Sequence, residues 1–190
     1  MSRSHDTFDD EKLMALKDRH CGYRYCPLCA RELVERELDG HRRLVCSDDE
    51  CGYVFYQNPA PAAGAIIVEN DAILLVKRAH PPRIGWWCIP AGFMEWHEHP
   101  SETAVRELEE ETGLQVELTG FFEVYSGNDD PRVNAVLLLY LARAVGGQLE
   151  ASDDAMEVAY FPFDDLPDNI AFEAHRQALA DYDRRYRRRE

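Results

Sequence analysis

Between Gly92 and Leu114 the chain reads GFMEWHEHPSETAVRELEEETGL, which places seven glutamates and one arginine in one short stretch. Glu107, Glu110 and Glu111 are spaced i, i+3 and i+4, so on a helix their carboxylates converge on one side. Glu109, Glu110 and Glu111 fall in the last turn, where the helix dipole is negative and each acid costs about 0.3–1 kcal/mol. A solvated acidic face is the usual explanation of a charge run, but this placement disfavours the helix unless a cation offsets it. Clustered hard oxygens select Mg²⁺ or Mn²⁺ over zinc, and Mg²⁺ usually sits between one or two carboxylates, waters and substrate phosphates.

A second set of residues points to a different metal. Cys26-Pro-Leu-Cys29 and Cys46-Ser-Asp-Asp-Glu-Cys51 are two short cysteine pairs separated by a polar stretch that reads as a hairpin. Two such knuckles suit a tetrahedral Cys₄ zinc site, which has no open position for water and is therefore structural. Cys21 competes as a ligand, and Cys88, in an apolar run, reads as a buried thiol.

The elements that must carry these groups are legible in outline. Ser101 is a good N-cap and Gly113 a left-handed C-terminal residue, which bounds a helix at 101–112 with Ala104, Val105, Leu108 and Thr112 as its buried face. Ala63–Glu69 and Ala72–Arg78 are β-rich runs around an Asn70-Asp71 turn. Gln115–Tyr125, Arg132–Ala144 and Glu157–Phe163 read as further strands, and Ile170–Tyr186 as a closing amphipathic helix. Lys77, Arg78 and Arg83 are candidate phosphate clamps, with solvated strand ends as the bland alternative. The Arg184–Arg189 run is expected to act as a solubilising tail.

Gly92, Glu98 and the run Arg106-Glu-Leu-Glu-Glu-Glu-Thr-Gly-Leu114 resemble the Nudix box, matched at every fixed position. The resemblance implies an α/β fold, a Nudix α/β/α sandwich with a mixed sheet, preceded here by a small zinc-ribbon module. It also implies hydrolysis of the diphosphate linkage of a nucleoside diphosphate derivative. Mg²⁺ or Mn²⁺ would be held by Glu107, Glu110 and Glu111 with help from the Gly92 carbonyl. Arg106 is expected to orient a glutamate, and Glu98 to be a supporting ligand or an anchor for Arg106. Glu111 is the favoured general base, with Glu157 a metal ligand or alternative base. Ala91 stands where the family more often has glycine, and Trp87 occupies the family's tryptophan place. Ribbon, QNP junction (Gln57-Asn-Pro59) and Leu166-Pro…Ala171-Phe look similar to the FAD and ADP-ribose pyrophosphatase type. The post-box signature of NADH pyrophosphatases has no counterpart here. An NADH/NAD pyrophosphatase, or a nucleotide-sensing protein without hydrolysis, is the alternative. Phe121, Phe122 and Tyr125 are candidates to stack on adenine or, equally, to pack in the core.

Length and composition bound the rest. The 190 residues, 45% hydrophobic, suffice for one main core and a small extra module. The organisation expected is a leader at 1–20, a ribbon at 21–57 and a hydrolase domain at 58–190. A net charge of −15 argues against a general nucleic-acid binder. No run of ~18 apolar residues reads as a membrane span, and no apolar segment reads as a signal peptide, so a cytoplasmic protein is expected. The expected partner is a small nucleoside diphosphate substrate, and enzymes of this kind commonly pair as homodimers.

Overall fold

The computed structural model describes residues 23–130, 133–152 and 154–188; the leader and Cys21 lie outside them. Strands β1 (Leu33–Leu38), β2 (His41–Cys46) and β3 (Val54–Phe55) form an antiparallel sheet of their own. The β1–β2 turn passes through Asp39 and Gly40, both at positive φ, the geometry that tight hairpins require. The polar stretch between the cysteine pairs is thus the hairpin its sequence foretold.

A seven-stranded sheet follows, built from β4 (Ala60–Glu69), β5 (Ala72–Arg78), β6 (Trp87–Cys88), β7 (Ala91–Phe93), β8 (Leu114–Gly127), β9 (Ala135–Gly147) and β10 (Ala155–Pro162). Its main path runs β10-β5-β4-β9-β8, with β6 beside β5 and β7 beside β4. β4 and β9 are parallel and the other pairs antiparallel, so the sheet is mixed. Helix α1 (Pro100–Thr112) separates β7 from β8, and α2 (Glu173–Tyr182) follows β10.

Side-chain alternation along β4 and β5 explains why helices cover both faces. Ile66, Ile73 and Leu75 pack with Ala174, Ala178 and Leu179 of α2, whereas Ala65, Ile67 and Leu74 pack with Leu108 of α1. Burying a leucine such as Leu108 contributes roughly 1.5–3 kcal/mol, which helps hold the acidic helix against its sheet.

Four expectations need correction. The N-cap of α1 is His99, not Ser101: His99 is extended at φ −79°, ψ 145°, and its Nδ1 accepts from the Ser101 N–H at 3.3 Å. Pro100 can then take the first helical position, where its missing N–H is not needed. Val105 is only half-buried and Thr103 takes its place in the buried face. The helix expected over 170–186 is shorter, with a π-helical turn, Asp183–Arg187, after α2. In that turn Arg185 pairs with Glu123 at 2.9 Å and Arg187 with both carboxylate oxygens of Asp71. Arg185 and Arg187 thus tie this turn to β8 and the β4–β5 turn, whereas Arg184 and Arg188 stand largely in solvent.

Candidate active site

Gly113 ends α1 in the left-handed conformation, φ 69°, and its N–H closes on the Glu109 carbonyl at 2.9 Å. α1 is thereby fixed at both ends, with β7 against its glutamate-bearing side. Gly92 of β7 touches the helix so closely that a Cβ there would stand 2.1 Å from Glu107 Cδ. A side chain at position 92 would displace the Glu107 carboxylate from this place. One turn further on, the half-buried Glu111 accepts from the Ala91 N–H at 3.1 Å.

Arg106 organises the acids around it. It donates to Glu98 Oε1 at 2.6 Å, Glu98 Oε2 at 2.9 Å, Glu107 Oε1 at 2.7 Å, Glu110 Oε2 at 2.9 Å and the Phe93 carbonyl at 3.2 Å. Thr103 Oγ1 also donates to Glu98, at 2.7 Å. Such charge-assisted bonds are about twice as strong as neutral ones, and Arg106 first of all holds the Glu98 carboxyl well below the usual carboxylate range. Glu98 is therefore the anchor of Arg106 here.

The carboxylates do not all share one place. Glu107 and Glu111 line a cavity of about 420 Å³ together with Gly92, Arg78, His80, Asp129, Asp154, Phe172 and His175. Glu110, more than half exposed, borders a separate depression along α1 with Glu109 and Leu118. Its link to the cavity is the single Arg106 nitrogen it shares with Glu107. Burial, then the charge of Glu107, pushes the Glu111 carboxyl up to about 8. Burial also raises Glu107, although the neighbouring Arg106 opposes it. Two raised acids lining one cavity beside a glycine form a hard-oxygen donor set that Arg106 compensates only at Glu107, and these residues fit a divalent cation.

Glu157 lies elsewhere. A β-bulge between Ala155 and Glu157 sets its register against β5, and the Glu157 carboxylate pairs with Lys77 Nζ at 3.1 Å outside the cavity lining. The acid from that region that does line the cavity is Asp154, whose Oδ1 lies 3.1 Å from His80 Nε2. Asp154 was visible in sequence only as one of several loop acids. Of the three candidate clamps, Arg78 lines the cavity. Lys77 is taken up by Glu157, and Arg83 Nη1 by Asp129 Oδ2 at 2.8 Å. Phe122 and Tyr125 are buried in the core, and Phe121 packs edge-on against Tyr140 on the sheet surface. Phe93 and Phe172 are phenylalanines of the cavity lining, and the Arg78 and Arg83 guanidiniums lie 5.0 and 5.2 Å from the Phe172 ring. Trp87 is buried, packed edge-on against Phe161.

At the other metal candidate, Cys26, Cys29, Cys46 and Cys51 bring their sulfurs within 4.8 Å of one another. Cys26 and Cys51 Sγ are 3.7 Å apart, and Cys29 and Cys46 Sγ 3.4 Å. A zinc tetrahedron with Zn–S near 2.3 Å has S–S edges of about 3.8 Å, so the four thiols are close to ligand geometry. Burial pushes Cys46 up to about 12, whereas at Cys26 burial is outweighed by the N–H groups of Leu28 and Cys29, which bring it to about 7. Cys88 is buried and its thiol pushed up to about 12, chiefly by that burial.

Residues 58–182 match the family profile of the NUDIX domain. An ADP-ribose pyrophosphatase of Methanocaldococcus jannaschii is 37% identical over 142 residues, 74% of this chain and 83% of that one. A NAD-capped RNA hydrolase of Pectobacterium carotovorum is 25% identical over 153 residues, 80% of this chain but 56% of its own length. The chain thus spans about half the length of the NAD-capped RNA hydrolase. The crystal structure of a NUDIX hydrolase from Nitrosomonas europaea superimposes with a TM-score of 0.73 at 31% identity, covering 84% of this chain and 89% of that one.

Proposed function

The chain belongs to the Nudix hydrolase family, and from that premise we propose that it cleaves the diphosphate linkage of ADP-ribose or a related nucleoside diphosphate derivative. The single observation that carries this reading is the cavity lined together by Glu107, Glu111, Gly92, Arg78 and Phe172. Its volume lies within the range of small-molecule sites.

Glu107, Glu111 and the Gly92 carbonyl are the groups we assign to an Mg²⁺ or Mn²⁺ ion, while Glu110, outside the cavity lining, pairs with Arg106. Such an ion, when bound, polarises the phosphate and lowers the pKa of the attacking water. Arg106, clamped by Glu98, fixes the Glu107 carboxylate. Arg78, which lines the same cavity, brings a cation to the phosphates. Water adds to one phosphorus and the bridging oxygen leaves with the other phosphate, so ADP-ribose and water give AMP and ribose 5-phosphate. Glu111 accepts the proton of the water; Asp154, in the cavity lining, replaces Glu157 as the alternative base.

We assign residues 21–57 to a structural zinc ribbon, with Cys26, Cys29, Cys46 and Cys51 as ligands, and 58–190 to the hydrolase domain. NAD-type dinucleotides are the second reading, supported by the 25% identity to the NAD-capped RNA hydrolase over 80% of this chain. A panel of ADP-ribose, NAD, NADH and FAD with Mg²⁺ or Mn²⁺, with the products identified, tests the proposal. Release of AMP from ADP-ribose or a dinucleotide is expected, and no turnover of any of them refutes it.

A further inference from the structure

His175 is only 7% exposed, and its two ring nitrogens are placed differently. Nδ1 accepts from the Ile89 N–H at 3.0 Å, a contact between the start of α2 and the segment joining β6 to β7. A ring nitrogen that accepts carries no proton, so the proton of the neutral imidazole sits on Nε2. Burial, and next the charge of Arg78, hold the ring in that neutral form, with a pKa of about 3. The Nε2–H meets no acceptor among the described residues. It is nevertheless not sealed, for the enclosed side-chain atoms without a partner among the described residues are Arg43 Nε and Asp129 Oδ1. His175 lines the cavity, so the cavity is where this nitrogen is open.

The donor is fixed before any ligand arrives. The Ile89 bond sets the orientation of the ring, and the Phe172 ring lies against it with centroids 5.5 Å apart. Of the charges around the imidazole, Arg78 acts most strongly, Asp129 opposes it less, and Arg176 adds a second positive charge. Arg78 lines the same cavity and is held too, its Nε donating to the Pro82 carbonyl at 2.9 Å and its Nη2 to the His80 carbonyl at 3.4 Å. An N–H in a net positive setting favours an anionic oxygen over an uncharged acceptor. Resting on the diphosphate-hydrolase reading above, we propose that His175 is a substrate-binding residue whose Nε2–H donates to a non-bridging oxygen of the diphosphate beside Arg78. Because the donor is already oriented, little ordering is needed when the substrate enters.

Three substitutions separate this role from a purely structural one. His175→Asn keeps an amide oxygen near the Nδ1 position for Ile89 but is too short to offer a donor where Nε2 stands. His175→Gln supplies an acceptor and a longer donor, and His175→Leu supplies neither. With ADP-ribose and Mg²⁺, KM should rise roughly 10- to 150-fold in His175→Asn, the range for losing one hydrogen bond to a charged group, while kcat changes far less. His175→Gln should recover most of that loss. Thermal midpoints should follow Ile89 instead, with His175→Asn close to wild type and His175→Leu lower. A wild-type KM in His175→Asn overturns the proposal. A second readout needs no turnover: in isotopically labelled wild-type protein with Mg²⁺, inorganic pyrophosphate should shift the His175 Nε2–H resonance, and adenosine should leave it in place. A resonance moved by adenosine and not by pyrophosphate puts an uncharged part of the substrate at His175 and overturns the proposal. Turnover of ADP-ribose with an unmoved resonance overturns the contact and leaves the hydrolase reading standing. A pyrophosphate-dependent shift in a protein that hydrolyses none of the panel leaves the contact standing and refutes the activity.

Discussion

His175 should make the protein acid-labile, and the sign and size follow from its surroundings. It is buried at the start of α2, and its Nδ1 accepts from the Ile89 N–H at 3.0 Å. A proton on Nδ1 would set two donors against each other. Burial, followed by the positive charge of Arg78, depresses its pKa from the ordinary 6.5 to about 3. Between those values the unfolded chain binds a proton that the folded chain refuses, so stability falls as pH falls below 6.5. The slope is about 1.4 kcal/mol per pH unit, so bringing the protein from neutrality to about pH 5 should cost on the order of 2 kcal/mol from this side chain. Glu111 titrates in the opposite sense. Its raised pKa means that the metal-free fold gains stability as pH falls from about 8 towards 4.5. A comparison of two proteins removes that contribution: His175→Gln keeps an acceptor for Ile89 and cannot titrate. Urea midpoints of both proteins, measured without metal at neutral pH and at about pH 5, should converge on acidification by on the order of 2 kcal/mol. Equal pH dependence in the two would show that His175 is protonated in the folded state and would refute the reasoning.

Glu111→Gln should lower kcat by orders of magnitude, yet stabilise the metal-free protein above about pH 8, because a desolvated carboxylate that Arg106 leaves uncompensated is replaced by a neutral group; activity within a few-fold of wild type would dismiss Glu111 from the metal site. EDTA dialysis should abolish activity that Mg²⁺ or Mn²⁺ restores while about one zinc per chain stays bound, and protein purified without chelator but free of zinc on elemental analysis would remove the Cys₄ assignment. Replacing Cys26 and Cys29 by serine should release zinc and open β1–β3 first, seen as early hydrogen exchange there, while β4–β10 stay protected.

By itself the sequence determined whatever is local and periodic. The i, i+3, i+4 spacing of Glu107, Glu110 and Glu111, the Gly113 stop, the Asn70-Asp71 turn and the two cysteine pairs each depend on neighbours within a few residues. The helix, the hairpins and the convergence of four sulfurs follow from them. Backbone chemistry also corrects the cap, since Pro100 suits a first helical position better than Ser101 suits the cap before it.

Only the tertiary structure decided which side chains share the cavity. Arg78 and Asp154 are 76 positions apart in the chain and reach one wall because β10 pairs with β5. A bulge of one residue before Glu157 then settles which acid looks inward, and a period-two pattern carries no sign of where such a slip will fall. Phe172, rather than Phe121, Phe122 or Tyr125, joins Phe93 in the cavity lining because it sits at the head of α2, whose packing against β4 and β5 is a contact across more than ninety residues. Sequence alone leaves the basic C-terminal run in solvent for the same reason: Arg187 meets Asp71 only through the packing of the sheet. Local spacing fixes what a segment is, but which groups face each other is set by long-range packing, whose partners are not neighbours in sequence.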